Sequence, residues 1–146
     1  MSILSSLSIS GSGLTAQRLR MDVIANNIAN AESTQSADGT PYKRQEVVFM
    51  PVSSTSSLIA RKGGSGHALG EGVRVAAILE DDSPPRVVYD PTHPHANPDG
   101  YVEYPDVDII TEMTDMISAT RAYEANVTAL KAAKAMAAKA LEIARG

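Results

Sequence analysis

From Pro105 to Gly146 the chain contains no internal glycine or proline. A stretch of that length with helical periodicity spans roughly 60 Å at 1.5 Å per residue. Ile109, Met116, Tyr123, Leu130, Ala137 and Ala144 form one heptad track. Met113, Thr120, Val127, Lys134 and Leu141 form a second, in which only Thr120 and Lys134 are polar. Two tracks in register predict a coiled-coil-like seam. Asp106, Asp108, Glu112 and Asp115 lie near the start, and Lys131, Lys134, Lys139 and Arg145 toward the end. Both placements complement the helix dipole. A chain of 146 residues cannot enclose such a rod, so the helix is expected to project, and its many alanines let other helices come close.

The N-terminus carries a matching stripe. Leu7, Leu14, Met21 and Ile28 fall seven apart, with Ile3, Ile24 and Ala31 on the companion track beside Ser10 and Gln17. They predict a helix over about residues 3–30. Gly11 and Gly13 each cost roughly 1 kcal/mol there relative to alanine, so the first half is marginal until something packs on it. The end, "DVIANNIANAES", holds Asn26, Asn27 and Asn30. One asparagine suits a helix C-terminus, where it tolerates the left-handed conformation, and Asn30 is best placed for it. Three are more than a stop signal needs. Asn26 and Asn30 share a face at i, i+4.

Between the helices the pattern shortens. Residues 46–52, 73–81, 84–91 and 101–105 read as strands of one small sheet, joined by turn-rich segments such as "THPHANPDG". The Ser/Gly-rich stretch 53–72 reads as a flexible loop. The expected fold is mainly α with a small β insert. Residues 1–31 and 106–146 form an antiparallel coiled-coil hairpin, and residues 32–105 form a separate β and loop unit. The single Phe, five Tyr and absent Trp agree with a thin core, because large aromatics dominate compact cores.

Several functions lack their chemistry. A net charge of -4 supplies no basic surface for nucleic acid or anionic lipid. No apolar run is long enough to span a bilayer, and the first residues do not form a secretory signal. Without cysteine there is no disulfide or Cys-based zinc site. His93 and His95 sit among Pro91, Pro94 and Pro98, which read as a rigid turn rather than a metal site. "GGSGHALGEG" lacks the Gly-Lys-[Ser/Thr] ending of a phosphate loop. No catalytic, metal or cofactor residues are expected.

Two motifs at the ends point to a family. "ANNIANAEST" followed by "PYKRQEVVF" resembles the N-terminal motif of the axial proteins of the bacterial flagellum: the rod, hook and hook-associated proteins. "EMTDMISATRAYEANVTALKAAKAM" resembles their C-terminal motif, in which Glu-Met-x-x-Met-Ile precedes Arg-x-Tyr-x-x-Asn. "SPPRVVYDPTHPHANPDGYVEYPDVDIITEM" resembles a short proximal rod member in particular. The stretch from Asn30 to Tyr42 is longer than in the wider group, as suits that member.

The resemblance implies a non-enzymatic rod subunit in the periplasm. It would be exported unfolded by the type III apparatus without a cleaved signal. Its partners would be itself, the rod proteins FlgB, FlgF and FlgG, and the adaptor FliE. It also makes subunit contacts the favoured reading of Asn26 and Asn27, with Arg121, Tyr123, Glu124 and Asn126 as the matching cluster within or between subunits. Arg121 and Glu124 could instead form a solvated i, i+3 pair. Assembly contacts are thus expected at Leu7, Leu14, Met21, Asn26, Asn27, Ile28 and Asn30. On the long helix they are expected at Met113, Met116, Arg121, Tyr123, Glu124, Asn126, Val127 and Leu130. A coiled-coil adaptor, or another exported part of a type III secretion system, is the alternative.

Overall fold

The computed structural model describes residues 3–36, 39–52 and 71–145. The elements run α1 (Ile3–Ala29), β1 (Gln45–Pro51), β2 (Val73–Glu80), β3 (Arg86–Tyr89), β4 (Tyr101–Tyr104) and α2 (Ile109–Arg145). The chain is mainly helical with a small β part. The four strands form two separate antiparallel pairs, β1–β2 and β3–β4, rather than one sheet. Most of the expected loop, residues 53–70, lies outside the described residues.

The two helices run in opposite directions against each other. Asn27 meets Glu112, Arg20 meets Asp115, the Thr120 hydroxyl reaches the Met21 sulfur, and Gly13 faces Asn126. α1 contributes Gly13, Ala16, Val23, Ile24 and Asn27 as buried positions, and the turn after it contributes Ala31. Leu7, Leu14, Met21 and Ile28 are half-buried at the edge of that face. On α2 the first heptad track holds through its middle, with Met116, Tyr123, Leu130 and Ala137 half-buried, while Ile109 and Ala144 at its ends are exposed. The second track is shifted by one residue. Glu112, Ala119 and Ala133 are buried and Asn126 is half-buried, whereas Met113, Thr120, Lys134 and Leu141 are exposed. Side-chain size explains the shift. Counting large apolar residues selects Met113 and Leu141, but close helix contact selects glycine and alanine, which bring the axes together.

The β1–β2 pair lies along α1. β1 starts where Gln45 meets Asn27. Its other end pairs with Val73, whose amide donates to Ser12 Oγ. The helical and strand paths between these ties both come to about 20 Å, from 1.5 Å and about 3.3 Å per residue. Val73, Val75 and Ala77 are half-buried and alternate with exposed Arg74, Ala76 and Ile78. The pairing register shifts between Val48 and Phe49. This support explains how α1 continues through Gly11 and Gly13. A Cβ on Gly13 would lie 3.0 Å from the Asn126 amide oxygen, so glycine also sets the helix spacing there.

The β3–β4 pair is mostly exposed, apart from buried Val102. Its connecting turn is built around Asp90, whose carboxylate accepts from the Thr92 amide at 3.0 Å and hydroxyl at 2.7 Å. A bond between Thr34 and His95 Nδ1 at 2.8 Å ties the turn to the segment after α1. The α2 start is capped by Asp108, which accepts from the Ile110 amide and the Thr111 hydroxyl. These bonds hold the Asp108 carboxyl below its ordinary range, the Thr111 hydroxyl contributing most.

Gly72 has φ +125°, and a Cβ there would fall 2.4 Å from Ser12 Oγ. Gly72→Ala is therefore expected to destabilise the chain by roughly 1–3 kcal/mol, from strained backbone and the broken Ser12 tie. Gly11 has open space around it, so Gly11→Ala is expected to stabilise by up to about 1 kcal/mol. Urea melts of the two variants should move in opposite directions.

Candidate functional site: a buried polar junction between exposed helix faces

Asn27 is 0% exposed and Glu112 1%. Asn27 Nδ2 donates to the Gln45 carbonyl at 2.8 Å and to Glu112 Oε2 at 3.0 Å. Its Oδ1 accepts from the Gln45 amide and the Tyr42 hydroxyl, both at 2.9 Å. Both donors and both acceptor positions are thus filled. Only one amide orientation does this, since a flipped group would set donor against donor. The other Glu112 oxygen accepts from Arg44 Nε at 2.7 Å.

One side chain thereby joins α1, the approach to β1 and the first turns of α2. Burial works against the Arg44 charge, but the Glu112 hydrogen bond and charge outweigh it, and the Arg44 pKa rises. Burial raises the Tyr42 pKa, with Glu112 and Glu80 adding to the effect and the Asn26 hydrogen bond opposing it.

A buried, directional contact of this kind specifies register more than it adds stability. Replacing such groups with apolar ones can leave stability intact, but removing one partner strands the other. Sliding α2 along α1 by one turn would take the Glu112 carboxylate away from both the Asn27 amide and Arg44.

The structure separates the three asparagines. Asn27 faces inward, which corrects for it the expected subunit contact. Direct contact with a neighbouring subunit is closed to Asn27 in this packing. Asn26 is exposed and donates to the Tyr42 hydroxyl at 3.2 Å. Asn30 ends the helix, but without a left-handed backbone: no described residue other than glycine has positive φ. Its Nδ2 donates to the Asn26 carbonyl and Oδ1, at 2.9 and 3.0 Å.

The matching cluster on α2 lies elsewhere. Asn126 sits opposite Gly13, about 20 Å along the helix from Asn27 at 1.5 Å per residue. Its Nδ2 bonds to the Ala122 carbonyl. A contact between the two clusters within one chain is therefore excluded in this arrangement. Arg121 and Glu124 are exposed, with no ion pair joining them among the described residues. Tyr123, Val127 and Leu130 are half-buried.

A groove of about 240 Å³ runs beside the junction. Its charged walls already lie in ion pairs: Arg20–Asp115, Arg44–Glu112 and the longer Arg44–Glu46. Among the described residues, no three His, Cys, Asp or Glu side chains converge on a possible metal position. No described helix is long and apolar enough to cross a membrane.

Beyond the junction, the most conspicuous surface feature is apolar. Ile110, Met113 and Ile117 are exposed on α2, as are Met136, Leu141 and Ile143 near its far end.

Residues 7–35 match the family model described as flagella basal body rod protein. Residues 99–143 match that of the flagellar basal body rod FlgEFG protein C-terminal region. The chain is 49% identical to the flagellar basal-body rod protein FlgC of Bacillus subtilis, over 96% of this chain and 97% of the relative. The chain belongs to the FlgC family of flagellar basal-body rod proteins. The FlgC protein of Borreliella burgdorferi is 46% identical over the whole of both chains. That of Salmonella typhimurium is 39% identical over 98% of each. The chain is a structural subunit of the rod in the flagellar basal body. The first family match includes Asn27, and the second includes Glu112.

The sequence motifs drew attention to Asn27 but not to Tyr42, Arg44 and Glu112 as its companions. Tyr42 and Arg44 stand in the quoted "PYKRQ". Glu112 starts the shifted heptad track, so an acidic residue in line with Ala119 and Ala133 was the available signal.

Asn27→Ala should lower stability by about 1–3 kcal/mol, because it removes the partner of both Gln45 backbone groups and of one Glu112 oxygen. Asn26→Ala should cost less than about 1 kcal/mol. Chemical denaturation of the purified variants checks the order. The raised Tyr42 pKa stabilises the protonated form in the fold. That contribution is present below the unfolded value near 10.0 and is lost as pH rises through the folded value. Stability of the native chain should therefore fall more steeply above pH 10 than that of Tyr42→Phe.

Proposed function

We propose that this rod subunit assembles helically in the proximal, periplasmic part of the rod, through its two terminal helices acting as a coiled-coil hairpin. The observation that carries the reading is the outward apolar face of α2. Ile110, Met113 and Ile117 are exposed although α1 packs on the same helix. An apolar stripe that remains open after the hairpin has formed suits a second helix contact in a polymer.

The terminal helices and the β elements have different roles in this proposal. The hairpin supplies shaft contacts, through α2 and the edge residues Leu7, Leu14, Met21 and Ile28. The small β pairs add outer contacts, with β1–β2 seated on α1. Asn26, Arg121 and Glu124 are exposed and available to neighbours. Asn27 acts indirectly, by fixing how α1 and α2 present those faces. Partners are further copies and the other rod proteins FlgB, FlgF and FlgG, with FliE nearby. Export proceeds unfolded through the type III apparatus, without removal of an N-terminal segment. Ordering the helices costs roughly 1–2 kcal/mol per residue in conformational entropy. That cost discourages polymerisation before export, and contacts available only in the assembly help to offset it.

Deletion of the gene should leave basal bodies without a hook-bearing rod, with recovery on complementation. Electron microscopy of purified basal bodies checks this. Intact, hook-bearing rods in the deletion strain would contradict the proposal.

A further inference from the structure

The β3–β4 pair stands apart from the rest of the fold. No described helix or other strand packs on it. Among the described residues, the Thr34–His95 contact is the hydrogen bond that joins residues 84–104 to the remainder of the chain. It is exposed, and so is the bond that positions His95 within its turn. There the His95 amide donates to His93 Nδ1 at 3.1 Å. His93 acts as an asparagine does in an Asx-turn, accepting from the amide two residues on.

That bond fixes the state of His93. An N–H donor requires a lone pair on Nδ1, so the ring proton lies on Nε2 and the ring is neutral. A proton on Nδ1 would set N–H against N–H. The Thr34 bond carries no such demand, because a hydroxyl can donate to His95 Nδ1 or accept from it. Two acids lie close to His93. Asp90 is on the same turn; bonds from Thr92 hold its carboxyl below the ordinary range, and His93 adds to the effect. Glu32, from the segment after α1, lines a groove of about 430 Å³ together with His93. Two bases oppose a charge at the present position. Arg86 of β3 lines the same groove, 5.6 Å from the Tyr104 ring, and the His95 ring lies 5.4 Å from that of His93. Tyr104 of β4 sets its ring 6.2 Å from His93, while Glu103 lines the groove beside His95.

We infer that this turn is a pH-sensitive latch, in which protonation of His93 breaks its bond to the His95 amide and frees the β3–β4 pair from Thr34. The charged ring leaves His95 and Arg86 for the carboxylates of Asp90 and Glu32. Docking requires the neutral ring, so it is complete above neutral pH and is lost as pH falls. Histidine is the side chain that ordinarily changes charge between about pH 5 and 8. The latch is a property of the single chain and does not depend on the rod-assembly reading.

Solution NMR of the isotopically labelled full chain tests this. At about pH 8 the His93 ring nitrogens should show the Nε2–H tautomer, and Thr34 and His95 should show close proton contacts. On acidification to about pH 5 those contacts should weaken several-fold, along the titration curve of His93. His93→Asn keeps an acceptor for the His95 amide but cannot titrate, so its Thr34–His95 contacts should persist in acid. Contacts that persist in the unsubstituted chain after His93 has protonated would overturn the inference. So would an Nδ1–H tautomer of His93 at about pH 8, or an equal loss of contacts in a folded His93→Asn chain. The first two readings use the unsubstituted chain and stand whether or not the variant folds.

Discussion

The Asn27–Glu112 hydrogen bond is the constraint on which the arrangement depends. Both groups are buried, and both complete their bonding with the segment entering β1. The apolar contacts around them use mostly alanine and valine. Small side chains allow close approach but distinguish poorly between neighbouring registers. The polar junction supplies the missing direction, since a slipped hairpin would bury unpaired donors and acceptors. Register in turn determines which α2 residues remain outside.

This division of labour links stability to assembly. α1 and the junction occupy one side of α2, and β1–β2 packs on α1. Ile110, Met113 and Ile117 remain exposed, as does Leu141 near the far end. The same helix therefore contributes to the fold of one chain and retains apolar surface after that fold is complete. For a rod subunit, outward apolar residues are a useful feature rather than a packing failure.

Much of this was legible in the sequence, with one systematic displacement. Helix positions and all four strands follow from periodicity and turn residues, and the end motifs lead to the family. The second α2 track was placed one residue late because Met113 and Leu141 outweigh Ala119 and Ala133 in hydrophobicity. Close helix packing favours the smaller residues. The division of the strands into two pairs was not legible, because pairing depends on contacts distant in sequence. The inward orientation of Asn27 was missed for a related reason. Periodicity assigns polar residues to the surface unless their partners are known, and those partners lie on the entrance to β1 and the start of α2.

Side-chain amide exchange of Asn27, measured by NMR on the isotopically labelled chain, tests the central claim most directly. A buried Nδ2 bonded to Glu112 and the Gln45 carbonyl predicts slow exchange and close proton contacts to Gln45 and Tyr42. The exposed Asn26 amide should exchange rapidly in the same sample. Rapid exchange of Asn27, equal to that of Asn26 while α1 and α2 remain helical, would contradict a hairpin held in register by this junction.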